Sequence, residues 1–453
     1  MKTVALHNLG CKVNEYEIEI MQQNIQKAGY EIVDFAQKAD IYVINTCSVT
    51  NIADRKSRQM IHRVRKQNPD AIVVAVGCYA QTDTQGALAD EAIDIVIGNN
   101  RKNDIVKIIE EYIADNNNRC AVENLSKSVE YENCTLENYD IRRIRVDVKI
   151  QDGCNQFCSY CIIPYARGRI RSRKKEEIIK EIKLLSDKGV KEVVLTGIHL
   201  SSYGLDFHED GTGKVPSYNS MAAGGEFTNT DLMEVIDEVS KLEGICRIRL
   251  GSLEPRAITE DFLRQISKNE KVCPHFHLSL QSGCDDTLKR MNRHYSAEEF
   301  LLRVSLIREY YEHPAITTDI IVGFPGETEE EFKITCEFVD CVNFYETHIF
   351  KYSKRKGTVA AELQGQLTEA VKSQRSDILS EKNAVNSRRF AEELLGKEIQ
   401  ILIEETIESE GRKYSVGHTK DYVAAGVAGE YEINQIVTGK AVAFLAENML
   451  ELK

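Results

Sequence analysis

IRVDVKIQDGCNQFCSYC, residues 144–161, runs a strand of alternating apolar residues directly into three cysteines, Cys154, Cys158 and Cys161, spaced by three residues and then by two. Three thiolates on one short loop can each take one iron of a cubane cluster, leaving a fourth iron open to a substrate or cofactor. The alternative is a zinc knuckle. Structural zinc takes four ligands, however, and no fourth Cys or His lies within reach on this loop. Tyr160, directly before the third cysteine, adds an aromatic face suited to an adenine, although an aromatic there also serves ordinary packing.

Strands are expected onward from this one at 144–150, 192–196, 246–250, 276–280, 317–322 and 346–350, alternating with amphipathic helices such as 176–188 and 296–310. Six βα units imply a partial (βα)6 barrel over residues 141–367. Its ligand-bearing end is the carboxyl end of the strands. The cluster loop leaves the first of those ends, and LTGIH (195–199), LQSG (280–283) and DIIVGFPGET (319–328) follow later ones. Gly197 and Gly323 would let backbone approach a cofactor closely, and Gln281 offers both a donor and an acceptor. His199 reads as a structural residue. An insertion at 206–230, rich in Gly, Asp, Thr and Asn, is expected to be a mobile loop near the mouth.

Upstream, TVALHN, DIYVIN, AIVVAV and DIVI read as four short buried strands with helices between them, an α/β doubly wound parallel sheet spanning residues 1–114. All strands of such a sheet end on one rim. Cys11 follows the first strand in LGCK, Cys47 the second in NTCS and Cys78 the third in VGCY, so the three can converge on a second cluster. Three unrelated buried cysteines are the competing reading. Cys120, Cys134, Cys246, Cys273, Cys284, Cys336 and Cys341 share no ligand spacing and are read as packing residues.

Residues 115–140 lose apolar periodicity and read as a linker, and 368–395 as a polar helical connector. From 396 to 453 the pattern alternates as short strands joined by turns, as in a small OB-like all-β barrel of the kind that often holds RNA.

The formal charge of −13 argues against nonspecific affinity for nucleic acid. Locally, IRRIR (141–145) and ARGRIRSRKK (166–175) flank the cluster loop. Arg142, Arg143, Arg145, Arg167, Arg169, Arg171 and Arg173 are the expected ground for phosphate oxygens, with Arg167, Arg169 and Arg171 as the RNA contacts. A solvated basic face is the plainer reading. The terminal segment carries ten acidic against six basic residues, so the electrostatic grip on RNA falls to the arginines near the cluster loop. No apolar run approaches the roughly 20 residues of a membrane span. Without a secretory leader at MKTVALHNLG, the thirteen cysteines are expected in a reducing cytosol.

Taken together, LGCKVNEYE, NTCSVT, VGCYAQ, QDGCNQFCSYCIIPYARGRIRSR, DIIVGFPGETEEEF and FKYSKRKGTVA resemble, in order and spacing over nearly the whole chain, the methylthiotransferases of the radical S-adenosylmethionine (SAM) superfamily. The resemblance implies two 4Fe-4S clusters. One, on Cys154, Cys158 and Cys161, would chelate SAM; the other, on Cys11, Cys47 and Cys78, would carry or donate sulfur. It implies a TRAM-like RNA-binding barrel at the C-terminus, an electron donor protein, a sulfur donor and a tRNA anticodon loop as substrate. Gly10-Cys11-Lys12-Val13-Asn14 resembles the branch acting on N6-threonylcarbamoyladenosine. The isopentenyladenosine tRNA branch, a protein-directed enzyme and a noncatalytic iron-sulfur protein are the alternatives.

Overall fold

The computed structural model describes residues 2–115, 119–125, 130–137, 144–208, 218–221 and 227–453. Six strands form the first sheet: β1 (Thr3–Asn8), β2 (Glu31–Ile32), β3 (Ile41–Thr46), β4 (Ile72–Gly77), β5 (Ile95–Ile97) and β6 (Cys120–Ala121). They lie in the order β2-β1-β3-β4-β5-β6 and all pair parallel. Parallel strands are covered on both faces, which is why β3 is buried at every position. With a side-chain period of two, Tyr42 and Ile44 join Val73 and Ala75 on one face, while Ile41 and Val43 join Val74 and Val76 on the other.

Helix α1 (Lys12–Lys27) is shared between two cores. Ile18, Met21 and Ile25 pack on the first sheet, whereas Tyr16 and Ile20 enter the core of the second unit beside Val146 and Val148. A helix buried on two faces cannot detach from either unit without exposing large apolar side chains, each stabilising by about 1.5–3 kcal/mol.

The second unit contains β7 (Arg145–Lys149), a short antiparallel pair β8 (Gln151–Asp152) and β9 (Arg171–Ser172), then β10 (Glu192–Thr196), β11 (Arg247–Leu250), β12 (His275–His277), β13 (Ala315–Val322) and β14 (Glu346–Lys351). Two three-stranded parallel sheets, β7-β10-β11 and β12-β13-β14, are joined by bridges at Ile248–Val272 and Leu253–Leu278. The result is an arc with β7 and β14 as its edges. The first sheet spans the gap between those edges: α1 packs on β7, while Asn51, opening helix α2 (Asn51–Gln67), donates its N–H to Ser353 Oγ at 2.9 Å and accepts from Arg355 at 2.6 Å beyond β14.

Of the stretch 115–140, the described residues pack against both units. Cys120–Ala121 extends the first sheet as β6, Leu125 and Leu136 are buried, and Tyr131 Oη donates to Lys149 O at 2.9 Å. Of the 206–230 insertion, 209–217 and 222–226 lie outside the described residues, as do Arg142 and Arg143. Among its described residues Tyr218 is buried against Ile170, Leu205 and Ala257.

A 24-residue helix, Glu369–Glu392, N-capped by Thr368, lies along β14. It leads to a closed barrel of β15 (Glu398–Ser409), β16 (Arg412–His418), β17 (Ala424–Ala428), β18 (Ile436–Ala446) and β19 (Met449–Leu452), in the order β15-β16-β17-β19-β18. This barrel docks on the amino ends of the arc's strands. Arg247 donates to His418 O at 2.8 Å and Gln400 O at 3.1 Å, Arg249 to Lys420 O at 3.0 Å, and Arg145 to Glu404 at 2.6 Å. Glu192 holds all three guanidiniums, at 2.8 Å from Arg145, 3.0 Å from Arg249 and 3.5 Å from Arg247. Removing the anion from such a buried group leaves uncompensated charge. Glu192→Ala is therefore expected to cost about 3–5 kcal/mol; a lowered first thermal transition together with faster proteolytic release of the terminal barrel checks it.

Candidate active site

The three rim cysteines sit at the carboxyl edge of the first sheet, as the strand order requires. Cys11 is the N-cap of α1, Cys47 follows β3, and Cys78 opens the short helix α3 (Cys78–Thr82). Gly10, at φ +128°, lets the first loop pass Cys47: a Cβ there would lie 3.2 Å from Cys47 Sγ and 2.9 Å from Asn14 Nδ2. Asn99, after β5, donates to Cys78 Sγ at 3.5 Å and to Ala166 O at 2.8 Å. Ala166 belongs to the helix Ile163–Arg167 that follows Cys161, and α3 packs against that helix. One side chain thus links the two cysteine loops.

The second triad is held from both sides. Gly153, at φ +69°, must be glycine because a Cβ would fall 1.8 Å from Arg169 O. Gln151 donates to Asp152 O at 2.8 Å and Gly153 O at 2.7 Å, fixing the chain entering the cysteine loop. Arg293, its side chain 7% exposed, donates to Cys158 Sγ at 3.3 Å, Glu254 at 3.0 Å and Ser279 O at 3.2 Å. Its positive charge stands where three thiolates would accumulate negative charge. Burial, with Cys78 close by, pushes the Cys47 thiol up to about 11, and burial with Cys158 pushes Cys161 to about 12. Donor type, number and convergence fit an iron-sulfur cluster at each triad.

A cavity of about 270 Å³ is lined by Cys161 of the second triad and by the segment that follows Cys47 of the first. Val49 and Thr50 reach it from the Cys47 loop, Tyr160, Cys161, Ile162 and Ile163 from the other, and Gln281, Asp319 and Phe350 from the arc. Tyr160 and Gln281 both line this cavity. Gln281 adopts φ +74°, its N–H donating to Asp319 O at 2.8 Å while its carbonyl accepts from Ile321 N at 2.9 Å, and its side chain stays on the cavity wall. Gly197 lies against Gln151, and Gly323 makes room for Lys372, whose Cγ would be 2.4 Å from a Cβ there.

The arginine expectation needs correction. Arg167 is fully buried, donating to Glu17 at 2.8 and 3.0 Å, Asn14 Oδ1 at 2.6 Å and Asp152 at 3.2 Å. Arg171 is 3% exposed and faces Asp152 at 3.2 Å. Arg173 is paired with Glu181 at 2.5 Å. None of the three can meet a phosphate. Arg169 is exposed, its guanidinium 4.6 Å over the Phe157 ring, with Tyr165 edge-on to Phe157 at 5.9 Å. That group of cation and aromatics is a surface on which a splayed base can stack.

Sequence reasoning missed Asn14, Glu17, Lys102, Lys149, Asp152 and Arg293. Asn14 and Glu17 stand three and six residues after Cys11, and Asp152 two before Cys154, so proximity to the cysteines was their signal. Nothing local marks Arg293.

A parallel α/β arc whose first strand ends in a three-cysteine loop defines the radical SAM class. Residues 148–339 match the model of the radical SAM superfamily, and 3–98 that described as uncharacterized protein family UPF0004. The threonylcarbamoyladenosine tRNA methylthiotransferase MtaB of Bacillus subtilis (strain 168) is 40% identical over 97% of this chain and 94% of its own length. The tRNA-2-methylthio-N(6)-dimethylallyladenosine synthase of Moorella thermoacetica is 35% identical over 89% of this chain and 87% of its own. Among solved structures, the radical SAM methyltransferase TsrM of Kitasatospora setae, with cobalamin and a 4Fe-4S cluster bound, shares the fold at a TM-score of 0.57 and 16% identity, over 80% of this chain and 77% of that one. This chain belongs to the radical SAM methylthiotransferases of the MtaB type.

Glu17 accounts for the junction's pH behaviour. Burial raises its carboxyl, but Arg167, Lys102 and Lys149 outweigh that and hold it well below its ordinary value of 4.5. Its contribution is then complete above pH 4.5 and lost as pH falls toward the lower folded value. Glu17→Gln is expected to lower stability by about 3–5 kcal/mol at neutral pH and to flatten the acid limb of a plot of Tm against pH.

Proposed function

We propose that this chain replaces the hydrogen at C2 of N6-threonylcarbamoyladenosine, beside the anticodon of tRNA, with a methylthio group. The observation that carries this reading is the cavity lined by Cys161 of one triad and by Val49 and Thr50, two and three residues after Cys47 of the other, because one substrate carbon must come within reach of both. The C2–H bond is unactivated, and no acid, base or ordinary nucleophile removes it; the hard chemistry has to come from a cofactor while the protein orients and excludes water.

A 4Fe-4S cluster with SAM at Cys154, Cys158 and Cys161 would supply the radical, and a second at Cys11, Cys47 and Cys78 the sulfur. The chain's own residues do the rest. Arg293 offsets negative charge at Cys158. Tyr160 offers a flat face and Gln281 an amide to a bound adenine. Arg169, Phe157 and Tyr165 offer the RNA a stacking surface outside the cavity.

In this reading residues 1–114 carry the sulfur-donating cluster, 141–367 the radical chemistry, and 396–453 act as a TRAM-like RNA-binding barrel, with 115–140 and 368–395 as connections. An electron donor protein, a sulfur donor and a cytoplasmic setting complete it. The relative from Bacillus subtilis, matched along 94% of its length, supports threonylcarbamoyladenosine as the substrate.

Reconstituted protein incubated with SAM and threonylcarbamoyladenosine-bearing tRNA, followed by nucleoside mass spectrometry, tests the assignment. Cys158→Ala is expected to abolish formation of 5′-deoxyadenosine; undiminished formation refutes the radical site. Cys47→Ala is expected to keep SAM cleavage and lose the methylthio nucleoside, and normal product from it refutes the sulfur-donating role.

A further inference from the structure

Below the cavity, one residue pair further down the strands, the arc carries a polar group that the chemistry above does not use. Asp319 on β13 and His348 on β14 are cross-strand partners, as are Ile321 and Phe350 above them. His277 on β12 pairs with Thr317. Side chains two apart on a strand share a face, so His348 lies on the face of Phe350, and Asp319 on that of Ile321. Both Ile321 and Phe350 line the cavity, and Asp319 lines it too. The carboxylate therefore connects cavity and histidines.

One donor or acceptor atom from each of His277, Asp319 and His348 lies within 4.8 Å of the other two. His277 Nδ1 meets Thr317 Oγ1 at 3.0 Å, which fixes the ring and turns Nε2 toward Asp319 at 3.3 Å. The two imidazoles stack at 5.7 Å between centroids. His348 is on the edge strand of the arc, its side chain 44% exposed, so a group entering from the open side meets it.

We propose that His277, Asp319 and His348 form the subsite for the threonylcarbamoyl substituent of the target adenosine, with His348 as the residue that selects for it. This rests on the substrate reading above. The substituent brings a carboxylate, a hydroxyl and urea-type N–H groups. An imidazole carries at least one N–H in either protonation state and serves the carboxylate; Asp319 accepts from the N–H or hydroxyl groups. A dimethylallyl group, the adenosine substituent for which the Moorella relative is named, is a hydrocarbon and offers these polar groups no hydrogen-bond partner. Sites built to hydrogen-bond a substrate reject analogues that lack the partner far more strongly than apolar pockets reject a missing methylene.

The test uses the reconstituted enzyme and anticodon stem-loop RNAs bearing either threonylcarbamoyladenosine or unmodified adenosine at the target position. The measured quantity is the ratio of kcat/KM for the two RNAs, which partial misfolding cannot alter because both are read on the same active molecules. His348→Ala is expected to lower the ratio roughly tenfold to hundredfold, through a higher KM for the modified RNA, and His348→Gln, which keeps an N–H donor, to recover part of it. A ratio unchanged in His348→Ala, with the wild type preferring the modified RNA, overturns the subsite. A preference that appears only with added Mn²⁺ assigns the three side chains to a cation and overturns it as well. A wild type without any preference for the modified RNA defeats the substrate reading itself.

Discussion

Everything about the site depends on one buried guanidinium. Arg167 leaves the helix after the third cluster cysteine of the arc and ends between Asn14 and Glu17, one and two turns into the helix that Cys11 begins. Burying charge in this way adds little net stability, because the loss of hydration roughly cancels the attraction. What it adds is register. A salt-bridged fork with three partners on two units tolerates only one relative placement of those units, and placement is what a substrate facing two cysteine triads requires. The apolar face of α1 brings the units together; Arg167 with Asp152 and Glu17 decides how they meet.

The same contact explains which parts of the site could be read in the sequence. Cys154, Cys158 and Cys161 announce themselves by local spacing, and Cys11, Cys47 and Cys78 by equivalent positions in a parallel sheet, where strand order alone forces convergence. Neither inference needs a long-range partner. The arginine run does. Arg167, Arg169, Arg171 and Arg173 look alike along the chain, yet three turn inward to Glu17, Asp152 and Glu181, and only Arg169 stays outside. Which arginine meets which acid is decided by tertiary contacts as far as 150 residues apart. Gly197 and Gly323 show the same limit: a glycine signals close approach but not of what, and here Gln151 and Lys372 are what lies against them.

Charge elsewhere follows the same division. Arg145, Arg247 and Arg249 are spent on Glu192 and on backbone carbonyls of the terminal barrel, so they set that barrel against the base of the arc instead of presenting a cationic surface. On the barrel side the acceptors are the carboxylate of Glu404 and the backbone carbonyls of His418, Gln400 and Lys420. The alternation of short strands made the barrel legible, whereas its docking side was not, because the docking arginines lie in the strands of a different unit.

Recognition of a nucleic acid by a chain with a net charge of −13 must therefore be local and short-ranged. Arg169 over Phe157, with Tyr165 half exposed beside it, lies on the chain on either side of Cys158 and Cys161 and offers a stacking surface next to that loop. Stacking of this kind is tolerant of sequence and weakly dependent on bulk charge, unlike a lattice of phosphate contacts. It leaves discrimination to groups deeper in the arc, where Asp319 and the two imidazoles supply directional partners that an RNA surface contact cannot. Affinity outside and selectivity inside are then carried by different side chains, and each can change without the other.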